Sequence, residues 1–274
     1  MTAVLHDKAT RFREMHVRDK ILVLPNPWDV GTARLLTHLG FEALATTSAG
    51  FAHSQGQPDG GVGRVRTLEH AAMIAASTDL PVSADLENCF SDDPAGVAAT
   101  IAAATDTGIV GCSIEDATGR PEDPIYDFDL AVARVAAAVE SASGAGFPFT
   151  LTARSENFLH ERRDIGDTIA RLQAFAAAGA DVVYAPGIDD AGSIATIVKS
   201  VSIPVNVLAL PGMTVAGLQE LGAARVSIGS GLSRAAFSAF YAGATELAEQ
   251  GTFGYSWSGR PAVDLNGIFD NGSG

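Results

Sequence analysis

Cysteine is nearly absent: Cys89 and Cys112 are the only two in 274 residues. Two thiols make neither a disulfide framework nor a cysteine-based zinc site. Long apolar runs are missing as well, and no stretch approaches the ~20 uninterrupted apolar residues of a membrane span. Positive charge is scarce, with 18 Lys and Arg against 32 Asp and Glu and a formal charge of −14. So acidic a surface repels phosphate backbones and anionic lipid, which removes nucleic acid and membrane from the expected partners. The polar opening MTAVLHDKATRFREMH has no apolar core of a signal peptide, so a cytoplasmic protein is expected. With 47% hydrophobic residues the chain carries enough apolar material to exclude disorder.

Short β-branched apolar runs alternate with Ala/Leu-rich helical stretches from residue 21 to about residue 250. The strand candidates are 21–28, 41–48, 81–88, 110–116, 149–156, 181–187, 204–211 and 225–230. Helix-like segments follow them, among them 67–78, 95–108, 128–142, 164–178 and 231–250. Asp93-Pro94 is a start signal, and Gly40, Gly108 and Gly179 are stop signals. Eight strands alternating with helices imply parallel pairing through crossovers, and closure into a (β/α)8 TIM barrel is the expected α/β fold. A doubly wound open sheet is the rival, but its Gly-rich turn is missing: the first strand runs into Pro25-Asn26-Pro27-Trp28-Asp29. Residues 1–250 therefore read as one barrel domain. The tail 251–274 is either docked, across a subunit contact for instance, or frayed.

Chemistry in such barrels sits at the C-terminal ends of the strands. Strand three ends in Asp85-Leu86-Glu87-Asn88, where period-two alternation puts Asp85 and Glu87 on one face. Strand four ends in Ser113-Ile114-Glu115-Asp116 and strand five in Thr152-Ala153-Arg154-Ser155-Glu156. Carboxylates converging on one mouth repel each other unless a cation lies between them. Hard oxygen ligands suit Mg²⁺ or Mn²⁺, and the six scattered histidines, mostly on helix or loop surfaces, offer no competing cluster. For any one of these acids, capping or a salt bridge is the simpler account. Arg154 suits a substrate carboxylate through its guanidinium fork, or else neutralises Glu87 or Glu115. The stretch Thr46-Thr47-Ser48-Ala49-Gly50-Phe51 offers hydroxyls and backbone N–H groups for an oxyanion, although such residues are also ordinary turn chemistry. The loop 51–66 is long enough to fold over the mouth, and 117–127 is the place for a lid, with Arg120 and Glu122 as its long polar side chains. Gly229-Ser230-Gly231 opens the last helix either as an anion site or, more simply, as a tight turn.

Taken in order, several of these motifs resemble the isocitrate lyase / phosphoenolpyruvate mutase superfamily. They are Leu24-Pro25-Asn26-Pro27-Trp28-Asp29, Thr47-Ser48-Ala49-Gly50, Ala84-Asp85-Leu86-Glu87, Ser113-Ile114-Glu115-Asp116 and Thr152-Ala153-Arg154. Gly179-Ala180-Asp181 and Pro204-Val205-Asn206 also fit, and the resemblance spans roughly residues 20–240. It implies a magnesium-dependent barrel acting on a small 2-oxo or 2-hydroxy carboxylate. Asp85, and through water Glu87, Glu115 and Asp59, would hold the metal. Ser48 and the backbone of Ala49 and Gly50 would bind substrate oxygens and Arg154 the substrate anion. Thr47, Trp28 and Asn206 count with them as substrate-binding positions, and Arg154, Glu115 and Asp59 as catalytic ones. The resemblance further implies a homo-oligomer, dimer or tetramer, that swaps its last helix between subunits. One departure matters: 117–127 (ATGRPEDPIYD) has no Lys, Cys, His or Asn. Isocitrate and methylisocitrate lyases carry a cysteine acid/base there, and the mutases lysine and asparagine. A lyase cleaving a C–C bond through a pyruvate enolate, as in oxaloacetate decarboxylation, is then the expected activity. C–P cleavage as in phosphonopyruvate hydrolysis, or non-catalytic binding of a 2-oxo acid, are the alternatives.

Overall fold

Buried β-branched and leucine side chains set the eight strands that pair in parallel among the described residues. They are β1 (Leu22–Leu24), β2 (Leu44–Ala45), β3 (Val82–Asp85), β4 (Gly111–Glu115), β5 (Thr150–Arg154), β6 (Val182–Tyr184), β7 (Val205–Leu208) and β8 (Arg225–Ser227). The structure, a computed structural model, describes residues 2–17, 19–257 and 263–270. The sheet runs in the order β1-β8-β7-β6-β5-β4-β3-β2, so the first and second strands face each other across the remaining seam. Ala45 N–H closes it with a 3.1 Å bond to the Pro25 carbonyl, and Asn26 Nδ2 reaches Thr46 O at 3.0 Å. The architecture is the expected (β/α)8 barrel.

Helices cover the outside: α1 (Thr2–Glu14), α2 (Val30–His38), α3 (Ser48–Ser54), α4 (Arg64–Ala76), α5 (Pro94–Thr105), α6 (Phe128–Ser143), α7 (Ile165–Ala177), α8 (Ala191–Ser200), α9 (Val215–Glu220), α10 (Gly231–Gln250) and α11 (Leu265–Asp270). The start and stop signals act as expected. Asp93 caps α5 by accepting from Ala95 N–H, with Pro94 at its first position. Gly40, Gly108 and Gly179 take φ of 83°, 87° and 103° just past α2, α5 and α7, a conformation that suits glycine. No helix among the described residues is long and apolar enough to cross a membrane.

Two segments differ from the sequence expectation. The 51–66 stretch is not all loop. Thr47 caps a helix through Gly50 N–H, and Phe51 and Ala52 bury their side chains, so α3 extends to Ser54 and only 55–63 loops. The polar N-terminal segment is also structured: Ala9, Phe12 and Met15 pack with Leu22, Leu24 and Val110 beneath the barrel. His16 and His70 are buried, while the other four histidines are at least partly exposed. The described part of the tail is docked on its own chain. Glu246 of α10 accepts from Gly254 and Tyr255 N–H, and α11 lies on α2 with Phe269 against Gly31. By contrast, α10 buries only Ser233 and Gly243, leaving Phe240 and Tyr241 about three-quarters exposed (75% and 74%).

His16 and Arg225 seal the barrel floor. His16 Nδ1 is 2.8 Å from the Phe12 carbonyl, which leaves Nε2 to accept from Arg225 Nη1 at 3.1 Å. Arg225 has no carboxylate within ion-pair distance among the described residues; Asn206 Oδ1 (2.9 Å) and Thr152 Oγ1 (3.0 Å) take its other bonds. Burial, reinforced by Arg225, pushes the His16 pKa down to about 3. In the unfolded chain the imidazole regains its ordinary value and binds a proton that the folded state refuses. Stability is therefore fully present above pH 6.5 and is lost as pH falls from 6.5 toward about 3. His16→Gln, which keeps an acceptor for Arg225, should flatten that part of the profile in urea titrations at stepped pH. An unchanged acid slope would remove His16 as its source.

Candidate active site

Parallel register brings the polar strand ends together at one rim. Asp85 pairs with Ser113, and Glu115 with Arg154. Asp85 Oδ2 accepts from Ser48 N–H at 3.2 Å, while Oδ1 accepts from Ser113 Oγ (3.2 Å) and Arg154 Nη1 (3.1 Å). The same Nη1 lies 3.4 Å from Glu115 Oε2, and Nε donates to Glu156 Oε1 at 2.8 Å. The Arg154 guanidinium thus bridges three carboxylates, and the Tyr184 ring lies 5.1 Å from its Cζ. Burial works against its charge, yet Glu156, Glu115 and Asp85 outweigh it and raise its pKa well above the ordinary value. No hydrogen bond from Nη2 is seen among the described residues, and Arg154 lines the cavity, so this edge remains for an anion.

Glu87 reaches the same place by a different route from the one expected. β3 stops at Asp85, and Glu87 turns back with φ +53°, so a left-handed turn rather than strand alternation brings it beside Asp85. Burial is the main reason its pKa rises to about 7, and the charges of Asp85 and Asp59 add to it against Arg154. Burial also raises the Glu115 carboxyl, against the pull of Arg154. Asp116, next in sequence, faces the other way. Its Oδ1 accepts from Glu156 N–H (2.8 Å) and its Oδ2 from Arg171 (3.1 Å), which makes it a brace between β4 and α7.

These groups border a cavity of about 510 Å³ at the C-terminal mouth. Thr47, Ser48, Ala49, Asp59, Asp85, Arg154 and Asn206 are in its wall. Glu87 and Glu115 stand behind Asp85 and Arg154 and are not part of the lining. Trp28 and Gly50 are also outside the wall. A Cβ on Gly50 would meet Thr47 Cγ2 at 2.6 Å and Trp28 Cβ at 3.1 Å, so the two pack as scaffold beneath Ser48. Asn206 has both ends of its amide engaged, with Ser227 Oγ and Arg225 Nε, each at 2.9 Å. Glu156, Tyr184, Ser113 and Arg225 had no assigned role in the sequence. Ser113 and Glu156 had a local signal, one opening the strand-four motif and the other two residues after Arg154. The opposite wall is formed by Leu208–Pro211 and Gly229–Gly231, with Arg234 at the rim.

Among the described residues no three of His, Cys, Asp and Glu stand together as a ready-made metal cage. Magnesium does not require one, since it takes one or two carboxylates and keeps several waters. Asp85, Glu115 and Glu156 share Arg154 as the cation within ion-pair distance, and nearby Asp59 and Glu87 have no cation within that distance among the described residues. Hard oxygen donors in such excess fit a divalent cation on the Asp85–Glu87–Asp59 side, away from Arg154.

A family model described as phosphoenolpyruvate phosphomutase matches residues 12–248. The chain belongs to that family. It is 36% identical to an uncharacterised protein of Mycobacterium tuberculosis, over 80% of this chain and 81% of the relative. It is 29% identical to the oxaloacetate decarboxylase of Paraburkholderia xenovorans, over 73% and 68% of the two chains. Among solved structures, a candidate lyase or mutase from Burkholderia cenocepacia J2315 superimposes with a TM-score of 0.93 at 53% identity, covering 97% of each chain. Membership in the superfamily, expected from the motifs, is thereby established.

Arg154→Met should destabilise the fold by about 3–5 kcal/mol, because it strands Asp85, Glu115 and Glu156 without their cation. Denaturant unfolding without added metal measures this. A loss below about 1 kcal/mol would mean that the acids are already satisfied without Arg154.

Proposed function

We propose that the protein is a Mg²⁺-dependent lyase that cleaves a C–C bond of a small 2-oxo dicarboxylate, with oxaloacetate as the model substrate. The observation that carries this reading is the arrangement of charge at the mouth: Asp85 and Asp59 lie on the Ser48 side of the cavity, and the Nη2 edge of Arg154 faces the same space, with Arg225 and Arg234 elsewhere in the wall. Asp85, with Glu87, Asp59 and Glu115 around it, would hold the metal and its waters. The bound cation would supply positive charge that favours the enolate form of the product. Arg154 Nη2 would take a carboxylate, and the Ser48 hydroxyl and Ala49 backbone N–H, both in the wall, would orient the other oxygens. In oxaloacetate the C3–C4 bond breaks, its electron pair enters the enolate and CO2 leaves. A proton from water then completes pyruvate. This sequence asks for no acid from the lid, in keeping with a 117–127 segment that has no Lys, Cys, His or Asn.

The lid is tethered at its base: Ala117 and Ile125 bridge it, Arg120 Nη1 holds both Asp92 oxygens, at 3.1 and 2.8 Å, and none of residues 117–127 lines the cavity. The free, buried thiols of Cys89 and Cys112 agree with work in a reducing cytoplasm. The exposed aromatic face of α10 supports a homo-oligomer in which a second copy covers Phe240 and Tyr241.

Incubation with oxaloacetate and Mg²⁺ should release pyruvate; EDTA or Asp85→Ala should abolish the release. Phosphonopyruvate in the same assay tests C–P cleavage through released phosphate. Turnover that survives EDTA would contradict the metal reading, and no turnover of any 2-oxo acid would leave a binder. In sedimentation velocity the protein should run as a dimer or tetramer that Phe240→Asp with Tyr241→Asp disperses. A wild-type monomer would refute the assembly.

A further inference from the structure

Arg134 of α6 is among the largest fully buried side chains, 1% exposed, and no carboxylate lies within ion-pair distance of it among the described residues. Its donors go to main-chain carbonyls. Nε and Nη2 donate to Ser91 O at 3.3 and 3.1 Å, Nη2 also to Asn88 O, and Nη1 to Glu115 O at 3.1 Å. The guanidinium Cζ lies 3.9 Å from the Tyr126 ring centroid. One side chain thus joins the segment after β3, the end of β4 and the base of the lid.

The segment it holds is unusual. Glu87, Cys89 and Phe90 all have positive φ, at 53°, 57° and 57°, a region that L-residues enter at a cost. No glycine relieves that turn, so outside contacts must impose it: Arg134 holds Asn88 and Ser91, Thr100 Oγ1 donates to Cys89 O at 2.9 Å, and Asn88 Nδ2 donates to Thr118 O at 3.3 Å. The next residue, Asp92, accepts from the Tyr126 hydroxyl and from Arg120 of the lid. Turn and lid therefore close a ring of contacts whose hub is Arg134. A hydrophobic side chain of similar size could fill the space but would leave three carbonyls without donors.

We propose that Arg134 is a positioning residue: it sets the left-handed turn that presents Glu87 beside Asp85 and couples that turn to the lid base. Its consequence for metal binding rests on the functional reading above; its clamping of turn and lid does not. A lysine keeps the charge but cannot fork to carbonyls on separate segments.

Arg134→Lys, confirmed as folded by circular dichroism, is examined by hydrogen–deuterium exchange and by Mn²⁺ titration followed by electron paramagnetic resonance. Exchange should quicken together in 86–92 and 116–126, and Mn²⁺ affinity should fall about 10–100-fold. Unchanged exchange in both segments, or a change confined to α6, overturns the clamp. Quickened exchange with wild-type Mn²⁺ affinity overturns the positioning role. If the wild-type protein itself binds no Mn²⁺, the metal reading falls while the exchange arm still decides the clamp. Should Arg134→Lys fail to fold, Tyr126→Leu removes the stacking surface and leaves the carbonyl bonds. It should loosen the lid base and residues 91–92, and unchanged exchange there overturns the coupling.

Discussion

The rim of this barrel is organised by the shared guanidinium of Arg154. Asp85, Glu115 and Glu156 come from three neighbouring strand ends, and their mutual repulsion would splay those ends without a cation between them. An arginine suits the position because its planar donors can face several carboxylates at once and keep their charge when buried. The arrangement also limits what the site can do. With Nε and Nη1 committed to the protein, one edge of Arg154 faces the cavity, and acids beyond its reach keep their excess charge. Glu87, whose pKa is raised to about 7 mainly by burial, also feels the charges of Asp85 and Asp59.

The two ends of the barrel meet the cost of buried charge in opposite ways. At the floor, Arg225 is held by neutral acceptors, His16, Asn206 and Thr152. At the mouth, acids outnumber the cation that serves them. β5 carries part of both, with Thr152 bound to Arg225 at the floor and Arg154 at the mouth. Above it, Arg171 ties Asp116 to the lid through the Tyr126 carbonyl at 3.0 Å. The loops around the mouth are thus anchored by buried arginines, whose long reach suits contacts between segments far apart in sequence.

Much of the frame was legible because it depends on local rules. Runs such as Val82–Asp85 and Gly111–Glu115 lie inside the strands expected from apolar patterning, and Asp93-Pro94 began α5 as its capping chemistry requires. The site acids were legible for the same reason, since strand ends of a parallel barrel share a rim. What escaped depended on partners distant in sequence. The turn at Glu87 is held by Arg134 from α6, and alternation carried beyond Asp85 gave no warning of it. Nothing local to Arg154 showed that it would serve three acids at once. Trp28 and Gly50 stand in motifs that read as binding elements, yet neither lines the cavity, and Gly50 packs too closely on Thr47 and Trp28 to hold a side chain. The N-terminal helix was hidden because its few buried residues, Ala9 and Phe12 among them, are diluted by charged neighbours.

Cation-dependent capture of a 2-oxo acid at the Asp85–Arg154 rim is the centre of this account. Calorimetric titration of oxalate, a compact dianion shaped like the reacting end of such an acid, tests it most directly. Oxalate should bind in the presence of Mg²⁺ and not after its removal by EDTA, and Asp85→Ala should abolish the difference. Binding of equal strength with and without Mg²⁺ would contradict the account and assign the cavity to the arginines alone.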